Sequence, residues 1–488
     1  MASSYKHGVY VGEQETSLIA PVEGTAGLQV IFGTAPVNML EDPAAAVNKP
    51  QLVYSYAEAV AAVGYVPDFE RYTLCESISA NFTVINTSPL ILVNVLDPAK
   101  HSGDITEPTV TVEDGVAVVK ESGVLLDKLE VRNGDTAMER DVDYTTAFNN
   151  DGTLNIALID GGAGDGAASL TVTGKRLDAS MVTPADIVGG VDVATGNETG
   201  LEIVRQVYPK FAMTPGILMA PRYSKHAIVA AALQAKTTEI NSVFRAVCIV
   251  DIDSSKETGV TKYSDVKTQK EKQAVTSANA YAVWPYAKVG DVIYSGSTLA
   301  GALTSYTDAQ HGDIPNWSPS NKTLSISAAC LEDGTEVLLD QDQVNTINSY
   351  GVATFLNING YRLWGNNTAC YPGITDPKDR WFAVRRFMSW AANTFILTYF
   401  QKVDNPMNPR LIEAIMDSEN IRGNSFVARG ICARYEITYN EAENPVTDLI
   451  NGKITFHQYI TPFVPAEHIE NIIEFDPYAL ESALSGAA

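Results

Sequence analysis

Cysteine is sparse in this 488-residue chain, limited to Cys75, Cys248, Cys330, Cys370 and Cys432. No two stand close enough for a C-x-x-C pair. An odd count in so long a chain argues against a disulfide framework and for reduced, mostly buried thiols in a cytosolically made protein. Histidine is nearly as scarce. His7, His101, His226, His311, His457 and His468 are scattered, with no H-E-x-x-H and no cluster at metal-ligand spacing. No run of about twenty apolar residues occurs, which excludes a membrane-spanning helix. Met1 to Val11 holds no long apolar stretch, so no secretion signal is read there. A product acting outside the cell is then expected to leave by lysis or through a machine. Basic residues are outnumbered, 34 against 58, for a net charge of −24. So acidic a surface repels phosphate and argues against direct nucleic-acid binding. With 45% hydrophobic and only 19% charged residues the chain is not disordered, and it is long enough for several cores.

Motifs that carry chemistry are thin. Gly161-Gly-Ala-Gly-Asp-Gly166 lacks the Lys-Ser/Thr of a phosphate loop, has Ala167 where G-x-G-x-x-G needs glycine, and lies between expected strands; it reads as a β-turn. Asp251 and Asp253 imitate a metal pair, but Lys256 stands where a calcium loop requires glycine, so they read as a solvated loop. Ser295-Gly-Ser297 is not a nucleophile elbow and reads as a helix cap at Ser297. No catalytic, cofactor or metal residue is assigned, and the chain is expected not to be an enzyme.

The pattern along the chain predicts an α/β (α+β) multidomain protein. Residues 1–20 read as an extended arm in which Val9 and Val11 alternate with Tyr10. Residues 21–98 and 187–375 read as one discontinuous, layered α/β core. Expected strands include Leu28–Gly33, Thr83–Asn86, Leu90–Leu96, Gly216–Ala220 and Ala246–Asp251, with helices over Tyr56–Val63, Ser224–Ile240 and Ser264–Ala280. Residues 99–186 are rich in Thr, Val, Asp and Gly, with short alternating runs separated by Asn133-Gly134 and Asp151-Gly152. They read as an inserted all-β domain. Residues 100–200 hold 7 basic and 18 acidic residues, a net of −11, so the insert is expected to face solvent. Residues 376–467 read as a C-terminal α+β domain. Asp376-Pro377 with Asp379 signals a helix start, and Trp381, Val384, Met388, Ala391, Phe395 and Tyr399 recur on one helical face. Residues 468–488 form a final strand or arm in which Ile469, Ile473 and Phe475 alternate with polar groups.

The second half carries a more specific signal. Ser297-Thr-Leu-Ala-Gly-Ala, Thr307-Asp308-Ala309-Gln-His-Gly312 and Trp317-Ser-Pro319-Ser-Asn321 occur in order. Gly360-Tyr-Arg-Leu-Trp-Gly-Asn-Asn-Thr368 and Trp381-Phe-Ala-Val-Arg385-Arg386-Phe387 follow. Asn444-Pro-Val-Thr-Asp448, Gly452-Lys-Ile-Thr-Phe-His457 and Pro465-Ala466-Glu467 complete the series. Together these resemble the contractile phage tail sheath family, from straight contractile tails and related contractile injection systems.

The resemblance implies a homo-oligomer of hexameric rings stacked helically around an inner tail tube, contracting to drive the tube through a cell envelope. It implies tube, baseplate and tail terminator proteins as partners, a place in a virion tail or phage-tail-like particle, and terminal arms that add strands to a neighbour's sheet. Val9, Tyr10, Val11, Ile469, Ile473 and Phe475 are the expected arm residues. Residues 376–435 hold 9 basic and 6 acidic residues, a net of +3 in an acidic chain, which marks Arg380, Arg385 and Arg386 as candidates for facing an acidic tube. Two other readings stay open: another self-assembling virion protein such as a tube or baseplate subunit, and an α/β enzyme with an unrecognised site. Tube subunits are small single β domains, which a layered α/β middle argues against.

Overall fold

The computed structural model describes residues 21–485, so Val9, Tyr10 and Val11 lie outside the described residues. The central element is an eight-stranded sheet. Its strands are β1 (Gln29–Gly33), β2 (Pro50–Val53), β3 (Leu90–Asn94), β4 (Ile217–Met219), β5 (Val247–Asp251), β6 (Ala280–Val283), β7 (Val352–Asn357) and β8 (Tyr361–Trp364), in the order β2-β3-β1-β4-β5-β6-β7-β8. From β3 to β7 neighbours run parallel; β2 and β8 join antiparallel at the two edges. The inner strands β1, β3, β4, β5 and β6 are buried along their whole length, as apolar runs covered on both faces should be. Pro50, which has no N–H to donate, sits at the start of an edge strand.

Helices α1 (Thr73–Ser79), α2 (Ala227–Lys236), α3 (Gly296–Gln310) and α4 (Gln341–Ser349) cover the sheet. The backbone of α3 is almost entirely buried, which its small residues permit. At Gly301 a Cβ would run into the Met219 thioether on β4, so a larger residue there would require the methionine side chain to shift.

Several expectations are corrected here. Thr83–Ile85 is no strand; it continues α1 as a π-helical turn over Ala80–Ile85. The buried Asn81 amide holds it, donating to the Ser77 carbonyl and accepting from Gln29. The polar helix expected over 264–280 is confined to Val266–Lys272, because Ala280 already belongs to β6. Asp251 and Asp253 are not solvated: both are buried. Nor does Ser297 cap α3. The helix begins at Gly296, and its free N–H groups are satisfied by two carboxylates from elsewhere. Asp251 accepts from the Ser297 amide at 2.7 Å and hydroxyl at 2.6 Å, while Glu76 on α1 accepts from the Ser295 amide at 2.7 Å and from Arg222 Nε at 2.6 Å.

Burial pushes the Asp251 carboxyl from 3.8 up to about 6, against the Ser297 donors that favour its charge. The folded state therefore binds the proton more tightly than the unfolded chain. Its contribution to stability is full below the ordinary carboxyl range and is lost as pH rises towards about 6. Urea unfolding from pH 4 to pH 7 should show this loss, and Asp251→Asn should remove that part of the pH dependence. Identical pH slopes for the two proteins would refute the assignment.

Residues 102–177 build a second sheet. Ser102–Asp104 pairs antiparallel with Lys175–Leu177, so the chain enters and leaves this region side by side. Between them lie seven antiparallel strands, ordered Thr136–Met138, Glu130–Asn133, Ser169–Thr173, Thr109–Glu113, Val116–Val119, Leu154–Leu158, Tyr144–Phe148. Inward Val110, Val131, Leu154, Ile156, Leu170 and Val172 alternate with exposed polar neighbours and form a core separate from that of the main sheet. Gly161–Gly166 is a turn, closed by the Gly161 amide donating to Asp165 at 3.1 Å.

After Asp376 the chain forms α5 (Phe382–Tyr399), α6 (Pro409–Ala428), and an antiparallel pair, β9 (Cys432–Tyr439) and β10 (Phe456–Pro462). Phe387, Trp390, Phe426 and Tyr435 form its aromatic core. The helix expected to run on from Asp376 is broken. A single turn, Pro377–Arg380, ends at Trp381, whose backbone is extended and bridges Asn367. The Phe382 amide donates to the Asn366 carbonyl, and the Thr368 amide to that of Arg380. Pairing with residues 366–368 thus outweighs helical continuation. A short α7 (Pro477–Ser485) ends the described chain.

Candidate functional site

The three candidate arginines have different fates. Arg386 is corrected outright: it is 2% exposed and forms an ion pair with Asp308, itself 1% exposed, near the end of α3. Its guanidinium also donates to the Ala26 carbonyl at 3.0 Å. A cation spent in this way inside the chain cannot present itself to a tube. Burial pushes the Asp308 carboxyl up even with Arg386 alongside. Arg385 is mostly covered and binds Asp379 at 3.1 Å. Arg380 binds Glu467 at 2.7 Å. The exposed cations of residues 376–435 are instead Lys378, paired with Asp376 and Asp379, Arg410 and Arg429 at the two ends of α6, and Arg434 on β9.

Asp308 and Glu467 were not picked out from the sequence as ion-pair partners, although both lie within the ordered motifs, Asp308 in Thr307–Gly312 and Glu467 in Pro465–Glu467. In space three of the motifs meet. Trp317, Asn321, Trp364, Asn366 and Glu467 line one cleft of about 440 Å³ between the β8 edge of the main sheet and residues 463–467. The signal available in the sequence was an unpaired Asp in a helix of small residues and an Arg-Arg step on an apolar helix face.

From Phe463 onward the chain leaves its own fold. Residues 463–476 form no helix or strand, and apolar side chains point into solvent: Ile469 is 86% exposed, Ile473 88% and Phe475 80%. Ile472, Tyr478 and Leu484 are exposed as well. This is the opposite of what apolar side chains do in a packed core. The adjacent β9–β10 pair is a sheet of only two strands, and such sheets are marginal alone.

Among the described residues no group of three or more His, Cys, Asp and Glu is placed to hold a metal ion, and no helix is long and apolar enough to cross a membrane. All five cysteines are buried free thiols. Burial pushes the Cys75 thiol up to about 12 and the Cys330 thiol to about 11, which disfavours the reactive thiolate.

The structure is a layered α/β body with large apolar side chains exposed at its C-terminal end. No protein-family model matches the chain. It is 26% identical over 484 residues to the tail sheath protein of Burkholderia phage BcepMu, with 96% of each chain covered. It is 25% identical over 304 residues to the tail sheath protein of Escherichia phage P2, covering 59% of this chain and 69% of that one. The contracted sheath of PVC, an extracellular contractile injection system, shares the fold with a TM-score of 0.57 at 12% identity, covering 98% of this chain and all of that one. The chain is a relative of the contractile phage tail sheath proteins, as the ordered motifs indicated.

Proposed function

We propose that this chain is the repeating subunit of a contractile sheath, forming hexameric rings that stack helically around an inner tube and contract to drive it through a cell envelope. The observation that carries this reading is the C-terminal segment: its exposed Ile469, Ile473 and Phe475 need a second molecule to cover them, and a relative matched over 96% of the chain is a tail sheath protein. Strand addition to the marginal β9–β10 sheet of a neighbouring copy would satisfy both ends of that contact. Residues 1–20 would serve as the matching N-terminal arm.

In this arrangement residues 376–467 face the tube, with Arg410 and Arg429 as the cations available to an acidic tube surface. The acidic sheet of residues 102–177 faces outward. Tube, baseplate and tail terminator proteins are the other partners. The subunit is made in the bacterial cytoplasm, assembled into a virion tail or a phage-tail-like particle, and released by lysis. Contraction turns nearly rigid subunits against one another while the arms keep them linked, so its energy is stored at assembly.

Purified protein examined by electron microscopy should form hollow tubes with sixfold end views. A chain that stays monomeric at high concentration, with and without its tube protein, would sink this reading.

A further inference from the structure

Arg380 is held in place before Glu467 reaches it. Its guanidinium carbon lies 4.0 Å from the Trp381 ring centroid and 4.4 Å from that of Tyr371. Its Nε donates at 2.8 Å to Oδ1 of Asn367, which is buried. The backbone on either side is pinned, because Thr368 donates to the Arg380 carbonyl at 2.7 Å and Phe382 to that of Asn366 at 2.9 Å. The two rings, the amide and the pairing with residues 366–368 leave the outer end of the guanidinium free to take one carboxylate. It takes that of Glu467, at 2.7 Å.

Glu467 stands where the chain departs. Among the described residues, this is the one ion pair or hydrogen bond between residues 463–485 and the rest of the chain. After it come only exposed residues and the exposed helix α7. Both side chains of the pair are partly exposed, 23% and 36%, so the contact is worth little in global stability and can open without unfolding anything. Its geometry is fixed on the Arg380 side, while Glu467 sits on a segment with no other hydrogen bond or ion pair to the body among the described residues. That is a latch, not a strut.

We infer that the Arg380 cradle, formed with Tyr371, Trp381 and Asn367, is a carboxylate latch that sets where and in which direction residues 468–485 leave the body. Arg380 is a positioning residue acting through Glu467. Latched, the tail points one way; released, the same segment can be re-aimed while the β9–β10 pair stays intact. This takes residues 468–485 to be the assembly segment, as proposed above, but the test reads the isolated subunit and stands whether or not sheaths form.

The five native thiols are buried, so cysteines introduced as Asn471→Cys, on the tail, and Asn345→Cys, on α4, accept spin labels selectively. With Glu467 intact, the distance between the labels should show one dominant narrow population at low salt. Glu467→Gln lies on the tail side and leaves the body untouched; it should lower the latched-to-free ratio about fivefold and broaden the distribution. High salt should do the same to the unaltered pair and nothing further to the variant. Arg380→Lys should behave like Glu467→Gln, because an ammonium cannot keep the stacked, forked geometry. The unfolding midpoint should stay unchanged in the Glu467 variant, which separates latching from structural damage. The same narrow distribution in Glu467→Gln as in the parent, or a broad one in both, would overturn the latch. Failure to form tubes with an intact latch would count against the sheath reading alone.

Discussion

Replacing Arg386 with methionine should destabilise the folded chain by about 3–5 kcal/mol at pH 7, the cost typical of stripping one partner from a buried ion pair. Asp308 would be left without its countercharge at a site fully closed to water, next to the Ala26 carbonyl that Arg386 now serves. The remaining carboxyl would respond by holding its proton. Its folded-state affinity, already raised by burial, would rise further above that of the unfolded chain. Stability of the variant should then be best in acid and fall as pH rises through the raised value. Urea unfolding across pH 5–8 should show that dependence superimposed on the loss. Removing both charges, as Asp308→Leu with Arg386→Met, should recover most of it, because two apolar groups of similar volume need no solvation. A loss below 1 kcal/mol with no pH dependence would mean that the pair does not join α3 to α5 as described. The consequence reaches past stability. Asp308 and Arg386 fasten the main sheet's helix to the helix that carries the aromatic C-terminal core, so the double variant tests whether the two layers need a charge pair or only contact.

This pair shows what was legible beforehand. Strands buried on both faces, such as Leu90–Asn94 and Val247–Asp251, announced themselves as apolar runs, and the alternating runs of residues 109–173 announced a sheet with one wet face. Helical periodicity found α5 but not all of its buried side: Val384, Ala391 and Tyr399 are buried, Met388 and Phe395 only half so, and the core aromatics Phe387 and Trp390 lie off the predicted stripe. What periodicity does not encode is long-range pairing. Arg386 and Asp308 are 78 residues apart, and an arginine on a helix looks the same whether it meets water or a buried carboxylate. Asp251 was misread for the same reason: a polar residue at a strand end is solvated by default, and only the packed α3 terminus turns it into a cap. Thr83–Ile85 failed differently. Its β-branched residues favour a strand locally, but the Asn81 amide, tied to Ser77 and Gln29, holds the helical path. The candidate site was half visible. The alternation of Ile469, Ile473 and Phe475 singled out side chains that the fold leaves exposed, whereas the Arg380–Glu467 contact before them spans 87 residues and left no local trace.

Truncation after Glu467 should leave a folded, soluble subunit with an unchanged unfolding midpoint that no longer forms tubes. The folded body loses nothing because the removed residues give it almost nothing: Ile469, Ile473 and Phe475 are more than three-quarters exposed, and α7 has no buried residue. Assembly loses a great deal. Each large apolar side chain that becomes buried at a neighbour contributes about 1.5–3 kcal/mol, and strand pairing supplies partners for a backbone that otherwise bonds only to water. A substitution that preserves chain length separates this effect from a missing segment. Ile469→Asp with Ile473→Asp should abolish tubes as truncation does, since a charge buried against a neighbour's sheet would have no partner. Analytical ultracentrifugation and electron microscopy together distinguish the outcomes. Tubes of normal length from either variant would show that residues 468–485 do not link subunits. A lowered unfolding midpoint would place the segment in the chain's own fold. An intact midpoint with tubes lost would leave one account standing, in which apolar side chains kept in water by the subunit are the contacts that join one copy to the next.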